Sequence, residues 1–140
     1  MLEYALKYAA LGWAIFPCRP NDKRPATQHE CLDATTDHKQ IRAWWNKQPD
    51  LNIGLACGEI SGITALDIDP RSNGHEFLAA AIDDNEPIDG VWESQTGGGG
   101  THFLLPLQLH WVWTKTTESC GHSHYYPYTI FINARIYPIA

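Results

Sequence analysis

Two aspartates separated by a single residue, Asp67 and Asp69, follow the apolar stretch Ile63 to Leu66 and precede Pro70. The apolar stretch predicts a buried strand, and residues i and i+2 of a strand lie on the same face. Because adjacent carboxylates repel each other and are costly to bury unpaired, a bound cation best explains the pair. Carboxylate oxygens favour Mg²⁺ or Mn²⁺. The alternative is a strand that simply ends at Pro70, with the aspartates capping a turn.

A second segment of chemical interest is a run of four glycines just before a predicted strand. It comprises Thr96, Gly97, Gly98, Gly99, Gly100, Thr101 and His102. Consecutive glycines let the backbone approach a ligand closely and turn its N–H groups toward an anion. The spacing matches neither the Walker A loop nor the dinucleotide-binding GxGxxG pattern. The segment therefore predicts either a phosphate-binding loop or a plain flexible loop, and His102 either contacts phosphate or belongs to the core.

The third segment pairs aromatic and cationic side chains, Trp44 and Trp45 with Arg42 and Lys47. Such a combination can stack nucleic-acid bases and contact phosphates. Together with Ile41, however, the two tryptophans have the spacing of a core-facing helical stripe. Packing is therefore the favoured interpretation of this pair.

The elements that must position these residues alternate between helix and strand, which predicts an α/β or α+β fold. Helical spacing with a glycine stop at Gly12 predicts a first helix, and a capping pattern at Asp37 predicts a second helix that ends before Pro49. A short apolar run before Pro17 predicts a strand that ends there. Further strands are predicted over residues 52–56, 62–69, 101–105 and 130–136, and a helix over residues 75–82.

The charge distribution bears on the class of ligand. The 140-residue chain has a net charge of −6, which by itself argues against a nucleic-acid binder. From Pro49 to Gln108 there are ten acids and a single base, Arg71. This acidic centre is poorly suited to a phosphate backbone but well suited to divalent cations.

Length and composition predict one soluble domain, and the sequence also bears on its location and on the state of its cysteines. No apolar run approaches the roughly 20 residues that span a bilayer, and the first residues lack a signal-peptide pattern, so a cytoplasmic location is expected. The four cysteines have no CxxC spacing, which favours free thiols over disulfides. A zinc site at Cys120, His122 and His124 is the less favoured alternative, since no second ligand pair has matching spacing.

Taken in order, these segments resemble the bifunctional DNA primase/polymerase domain of phages and plasmids, a member of the archaeo-eukaryotic primase superfamily. The resemblance covers about residues 2–107 and rests on Tyr8–Pro17, Lys23–Pro25, Asp33–Asp37, Trp44-Trp45, Asn52–Gly54, Ser61-Gly62, Leu66–Pro70 and Thr96–His102. It implies an α+β fold with an RRM-like antiparallel sheet, flanking helices and an N-terminal α/β unit. Residues 1–107 would form the primase/polymerase-like domain and residues 108–140 a divergent or truncated C-terminal segment of it.

The resemblance also implies roles for individual residues. Asp67 and Asp69 match the family's first metal-binding motif, and His102 matches a second motif that contacts the phosphates of the incoming nucleotide. These three would be the catalytic residues, with residues 96–102 binding nucleotide and two Mg²⁺ or Mn²⁺ ions roughly 3.5–4 Å apart. The partners implied are a single-stranded DNA template, dNTPs or rNTPs, and a replicative helicase.

The family's third motif, an acidic residue on a later strand, has no match in the sequence. Glu118 is the only acid after His102, and the residues around it lack the family's pattern. Two hypotheses follow: a nucleotidyltransferase that replicates a mobile element, or an inactive remnant that keeps the fold and at most binds nucleotide or DNA. A different DxD metal enzyme, such as a nucleotide-sugar transferase, is a third and weaker one.

Two geometric expectations follow for the structure. Asp67 and Asp69 should lie on one strand and share a face, because the side-chain period of a strand is two. His102 should lie on a strand adjacent to that of Asp67, because metal and triphosphate contacts must converge and neighbouring strands are only ~4.8 Å apart.

Overall fold

A computed structural model describes residues 1–68, 92–95, 101–107, 130–132 and 137–138. These residues form an α+β fold of helices and antiparallel sheets. The elements are α1 (Leu2–Ala10), β1 (Ile15–Cys18), a 3-10 turn (Glu30–Asp33), α2 (His38–Lys47), β2 (Asn52–Leu55), β3 (Ile63–Ile68), β4 (Trp92–Gln95), β5 (Thr101–Pro106), β6 (Ile130–Ile132) and β7 (Tyr137–Pro138). The chain divides into two units, one of residues 1–62 with 127–133 and the other of residues 63–126 with 134–140.

Both helices of the first unit begin and end where the sequence predicts. Helix α1 ends before Gly12, whose φ of +84° is a conformation that suits glycine. Helix α2 starts after Asp37, whose carboxylate accepts a 2.9 Å hydrogen bond from the backbone N–H of Lys39. The inward face of α2 buries Ile41 and Trp45 almost completely.

The first unit contains a three-stranded antiparallel sheet in the order β1-β2-β6. Strand β2 is the central strand, with Gly54 opposite Phe16 on β1 and Phe131 on β6. A Cβ on Gly54 would overlap the ring of the fully buried Phe16. Glycine at this position therefore lets a large aromatic ring lie directly on the sheet.

Strand β1 runs through Pro17 instead of ending there, so the predicted strand end was wrong. Ile15 exchanges two backbone hydrogen bonds with Thr35, and the carbonyl of Pro17 accepts one from Ala26, all on the edge away from β2. Backbone groups alternate in direction along a strand, so the N–H that Pro17 lacks belongs to this outer edge. The ladder to β2 loses nothing, and the strand continues to Cys18.

The second unit contains a four-stranded sheet in the order β3-β5-β4-β7, with every pairing antiparallel. Since β5 is antiparallel to both of its neighbours, β3 and β4 run parallel on either side of it. This is the strand arrangement of a split βαβ unit. The connection between β3 and β4, which includes the helix predicted over residues 75–82, lies outside the described residues.

Strands β2 and β3 are consecutive in the chain but belong to different sheets. The turn between them contains Gly58 and Gly62, which have φ values of +94° and +64°. The backbone of Gly62 donates to the carbonyl of Gly58 at 2.8 Å, closing the turn. In the part of the chain that the structure describes, no helix has the length and apolar character needed to cross a membrane.

Candidate functional site

Three polar residues occupy directly paired positions on the adjacent strands β3, β5 and β4 of the second sheet. On β3, Asp67 is opposite His102 of β5, and His102 is in turn opposite Ser94 of β4. Directly paired positions of antiparallel strands belong to the same face of a sheet, so these positions form one row. The expectation that His102 lies on a strand adjacent to that of Asp67 is confirmed.

The polar row borders an apolar row on the same face of the sheet. The neighbouring positions are Ala65, Leu104 and Trp92, of which Leu104 is fully buried. His102 is half-buried, although its Nδ1 atom is shielded from solvent. The row therefore marks the change from the packed interior of the sheet to the end where β3 and β4 finish and β5 starts.

The segments predicted to bind metal and phosphate adjoin this same end by chain connectivity. Asp69 follows the last residue of β3, and residues 96–100 connect Gln95 of β4 to Thr101 of β5. Asp69 and Thr96 to Gly100 lie outside the described residues, so the shared face of Asp67 and Asp69 stays a prediction. Of the predicted nucleotide-binding residues, Thr101 and His102 are described, and Thr101 is buried on the face opposite to His102.

Ser94 was not predicted from the sequence, because the strand that carries it was taken for part of a polar loop. Its side chain is 1% exposed, and among the described residues its hydroxyl has no hydrogen-bond partner. The segment Trp92–Gln95 is short and contains Glu and Gln, which are not typical strand formers. The only sequence signal was the alternation of Trp92 and Ser94 with more polar neighbours.

Glu93 is the described acid closest to the row along β4, but it belongs to the other face of the sheet. It is paired with Phe103, one position away from the pairing of Ser94 with His102. A shift of one residue along a strand reverses the face. Glu93 therefore does not supply the third carboxylate that the sequence lacks, and among the described residues no cluster of three or more metal-binding side chains occurs.

The tryptophan pair lies in the first unit and has a packing role, at least for Trp45. The side chain of Trp45 is 1% exposed, and its Nε1 donates a 3.0 Å hydrogen bond to the carbonyl of Leu51. Trp44 is half-buried, with its ring edge-on to that of Trp45. The interpretation of these residues as core packing is thus confirmed for Trp45.

The first unit contains a short basic turn, Lys23-Arg24-Pro25, which is held by an exposed ion pair. The guanidinium of Arg24 lies 2.6 Å from a carboxylate oxygen of Asp22, and this contact lowers the pKa of Asp22. The preceding cation, Lys23, has no ion pair within the described part of the chain. Part of the charge of this turn is therefore already compensated locally.

Three of the cysteines lie in the described part of the chain, and Cys18 and Cys31 are free thiols, as predicted. Cys18 and Cys57 are buried, whereas Cys31 is half-buried. Burial, with a smaller contribution from Asp22, raises the pKa of Cys18 to about 12. The zinc site considered at Cys120, His122 and His124 lies outside the described residues.

Comparison with known proteins identifies the family. No curated protein and no solved structure shows significant similarity to the chain. The family model of the bifunctional DNA primase/polymerase, N-terminal domain, in contrast, matches residues 5–130. The match extends past residue 107, where the resemblance seen in the sequence ended, and it includes β1 to β5 and the first residue of β6. The chain belongs to the bifunctional DNA primase/polymerase N-terminal family.

Proposed function

We propose that the chain is a nucleotidyltransferase that extends or starts nucleic-acid strands on a single-stranded DNA template. The observation that carries the proposal is the direct pairing of Asp67 with His102 at one end of a split sheet. Membership of the primase/polymerase family supports DNA and nucleotides as the general substrates. Its cosubstrate would be a dNTP or an rNTP.

The donor chemistry at this end of the sheet fits a hard divalent cation. Asp67 and Asp69 would hold Mg²⁺ or Mn²⁺ through carboxylate oxygens, the ligands that these ions prefer. When bound, two such ions lower the pKa of the attacking 3′-hydroxyl and offset the charge that develops on the transferred phosphoryl group. The protein's own contribution would be to hold these carboxylates at the end of β3.

His102 would hold the triphosphate beside the carboxylates. In its half-buried position opposite Asp67, one imidazole nitrogen would donate to a phosphate oxygen. The backbone N–H groups of Gly97 to Gly100 would provide further donors to the same phosphates. Asp67 would thus bind the cation, while the neutral N–H donors would bind the anionic phosphates.

We further propose that this activity serves replication of a phage, prophage or plasmid in the cytoplasm, beside a replicative helicase. The support is the resemblance of the ordered motifs to mobile-element proteins. Co-purification of the chain with the helicase encoded nearest to its gene would test the partnership. Recovery of the helicase with an unrelated control domain would argue against it.

Primer extension on single-stranded DNA, with Mg²⁺ or Mn²⁺ and labelled dNTPs, tests the enzymatic proposal. Asp67→Asn should abolish extension, because the uncharged amide binds a divalent cation poorly, and His102→Ala should raise the KM for the nucleotide. Glu93→Gln is the matched control, since it removes a carboxylate from the opposite face of the same sheet. Extension that survives Asp67→Asn would contradict the proposal.

Extension by the 140-residue chain should be weak. An octahedral Mg²⁺ site needs its ligands in a narrow geometry, and no third carboxylate with the family's surrounding pattern is present to complete it. The acidic centre of the sequence, with Arg71 its one base between residues 49 and 108, also weakens template binding at physiological salt. Robust extension that Asp67→Ala abolishes would contradict this prediction and would direct attention to Glu118.

The alternative, a remnant without turnover, predicts a different pair of results. Nucleotide binding measured by calorimetry would persist and depend on His102, while extension would stay at the level of Asp67→Asn under every metal condition. A shifted reading frame downstream that encodes an acid followed by Arg and Gly-Gly-Tyr would support this alternative.

A further inference from the structure

Ser94 presents a buried hydroxyl whose hydrogen-bonding capacity is not used by the described residues. Its side chain is 1% exposed, so water does not satisfy it from the surface. A buried polar group without a partner carries a desolvation cost that proteins rarely retain without a reason. Fully apolar residues would have been suitable here, because the next position on this face of β5 is the buried Leu104.

The position of Ser94 identifies the residue with which it can form a hydrogen bond. It is directly opposite His102 on the adjacent strand, and such pairs place their Cβ atoms roughly 4.5–5.5 Å apart. That separation is within the reach of a serine hydroxyl and an imidazole through ordinary rotamers. Nδ1 of the imidazole is shielded from solvent and accepts no hydrogen bond from the described residues, while His102 as a whole is half-buried.

We propose that Ser94 is a positioning residue, whose hydroxyl binds Nδ1 of His102 when a nucleoside triphosphate occupies the site. This inference rests on the proposed role of His102 in phosphate binding. The hydroxyl of Ser94 donates to Nδ1, which keeps the imidazole in the tautomer that carries its proton on Nε2. The Nε2–H group is then the donor that a phosphate oxygen requires.

The physical advantage of this arrangement is that one ring nitrogen selects the state of the other. A neutral imidazole has one donor and one acceptor nitrogen, and the partner of the first determines which proton the second carries. Without Ser94, Nδ1 of His102 would lose the donor that favours its unprotonated state, and the tautomer with the proton on Nδ1 would gain population. A fraction of molecules would then present an acceptor lone pair to an anionic phosphate, and nucleotide affinity would fall accordingly.

The experiment measures dGTP binding in Mg²⁺ by calorimetry for the complete chain and for Ser94→Ala, His102→Ala and the double variant. Ser94→Ala should weaken binding about fivefold, the effect of one neutral hydrogen bond. In the double variant the serine substitution should add nothing to the loss from His102→Ala, because the two residues act as one unit. Thr64→Val is the control, since it removes a hydroxyl from the other face of β3, opposite Leu105.

Two further measurements separate positioning from a structural role. The unfolding midpoint of Ser94→Ala should equal or exceed that of the native chain, because the change removes a buried hydroxyl that has no described partner. In nucleotide-bound protein, ¹⁵N NMR should show the imidazole of His102 with its proton on Nε2, and Ser94→Ala should convert this signal to a mixture of tautomers. Absence of the His102 signal in His102→Ala provides its assignment.

The outcomes distinguish this inference from the function on which it rests. If His102→Ala weakens dGTP binding while Ser94→Ala changes neither affinity nor tautomer, the positioning role is wrong and the nucleotide site stands. If Ser94→Ala lowers the unfolding midpoint without changing affinity, the hydroxyl has a structural role and the inference is also wrong. If His102→Ala leaves dGTP binding unchanged, the proposed function itself is contradicted.

Discussion

The two units of this protein differ in whether their polar side chains have hydrogen-bond partners. In the first unit, the indole N–H of Trp45 donates to Leu51, and the hydroxyl of Ser61 accepts a 2.8 Å hydrogen bond from the backbone of Ala14. In the second unit, the hydroxyl of Ser94 is buried opposite His102 with no described partner. These polar groups of the first unit thus complete the fold, whereas the hydroxyl of Ser94 in the second unit has hydrogen-bonding capacity that the described fold does not use.

This difference indicates where substitutions affect stability and where they affect ligand binding. Satisfied polar groups and dense packing make the first unit sensitive to changes in volume and hydrogen bonding. A buried hydroxyl without a described partner, such as that of Ser94, is costly to keep, and a ligand-bound state that uses it would offset this cost. Substitutions in the two units should therefore separate into loss of folding and loss of binding.

The largest effect on stability is expected from Trp45→Ala. The change removes a large buried ring and leaves the carbonyl of Leu51 without its donor, which together should cost about 3–5 kcal/mol of the free energy of unfolding. Chemical denaturation monitored by circular dichroism gives the value. Trp44→Ala is the matched control and should cost less than half as much, because Trp44 is only half-buried. Equal costs would show that the two rings share the packing role.

Gly54→Ala should destabilise the first unit by about 2–3 kcal/mol, because the new Cβ overlaps the ring of Phe16. Combining it with Phe16→Leu, which removes the overlapping ring atoms, should recover part of this loss relative to the sum of the two single changes. Thermal denaturation of the three variants provides the test. Strict additivity of the single effects would mean that the overlap is relieved elsewhere.

A smaller effect is expected from Asp37→Ala. The substitution removes the carboxylate that accepts from the N–H of Lys39 at the start of α2, which should cost about 1 kcal/mol. Asp50→Ala is the control, since it removes an exposed aspartate that follows the same helix, and it should stay within about 0.5 kcal/mol of the native value. Comparable losses for both variants would point to net charge and not to helix capping.

The smallest effect at neutral pH concerns Cys18, whose contribution becomes visible only in alkali. The pKa of the Cys18 thiol is about 12 in the folded state, against an ordinary value near 9.0. Between these two pH values the thiol therefore ionises only in the unfolded chain. Stability should therefore be fully retained below about pH 9 and should decrease as the pH rises toward 12. Cys18→Ala should reduce this pH dependence, as measured by denaturation at several pH values. An unchanged slope would assign the effect to other groups.

Much of the fold followed from local sequence signals, and the exceptions have physical causes. The helix limits at Gly12 and Asp37 were predictable because backbone conformation and capping are local. The continuation of β1 through Pro17 was not predictable, because it depends on which edge of β1 pairs with β2 and which does not. The pairing of β2 with β6 joins residues far apart in the chain, and no local pattern encodes it.

The candidate site shows the same division. The neighbourhood of Asp67 and His102 was predictable because it requires only that the two strands carrying the motifs pair with each other. Ser94 was not predictable, because its meaning comes entirely from its register with His102 and from its burial. A serine in a four-residue strand carries no signal of its own in the sequence.

The pairing of β2 with β6 has a consequence for the order of events during synthesis. Leu55 of β2 pairs with Ile130 of β6, which is synthesised 75 residues later; at ordinary rates of translation this takes roughly 4–15 s. During that interval the nascent chain carries β1 and β2 with one edge of β2 exposed, a state open to pairing with other chains. Chaperone dependence and aggregation should consequently decline once residues 130–132 are available to pair with β2.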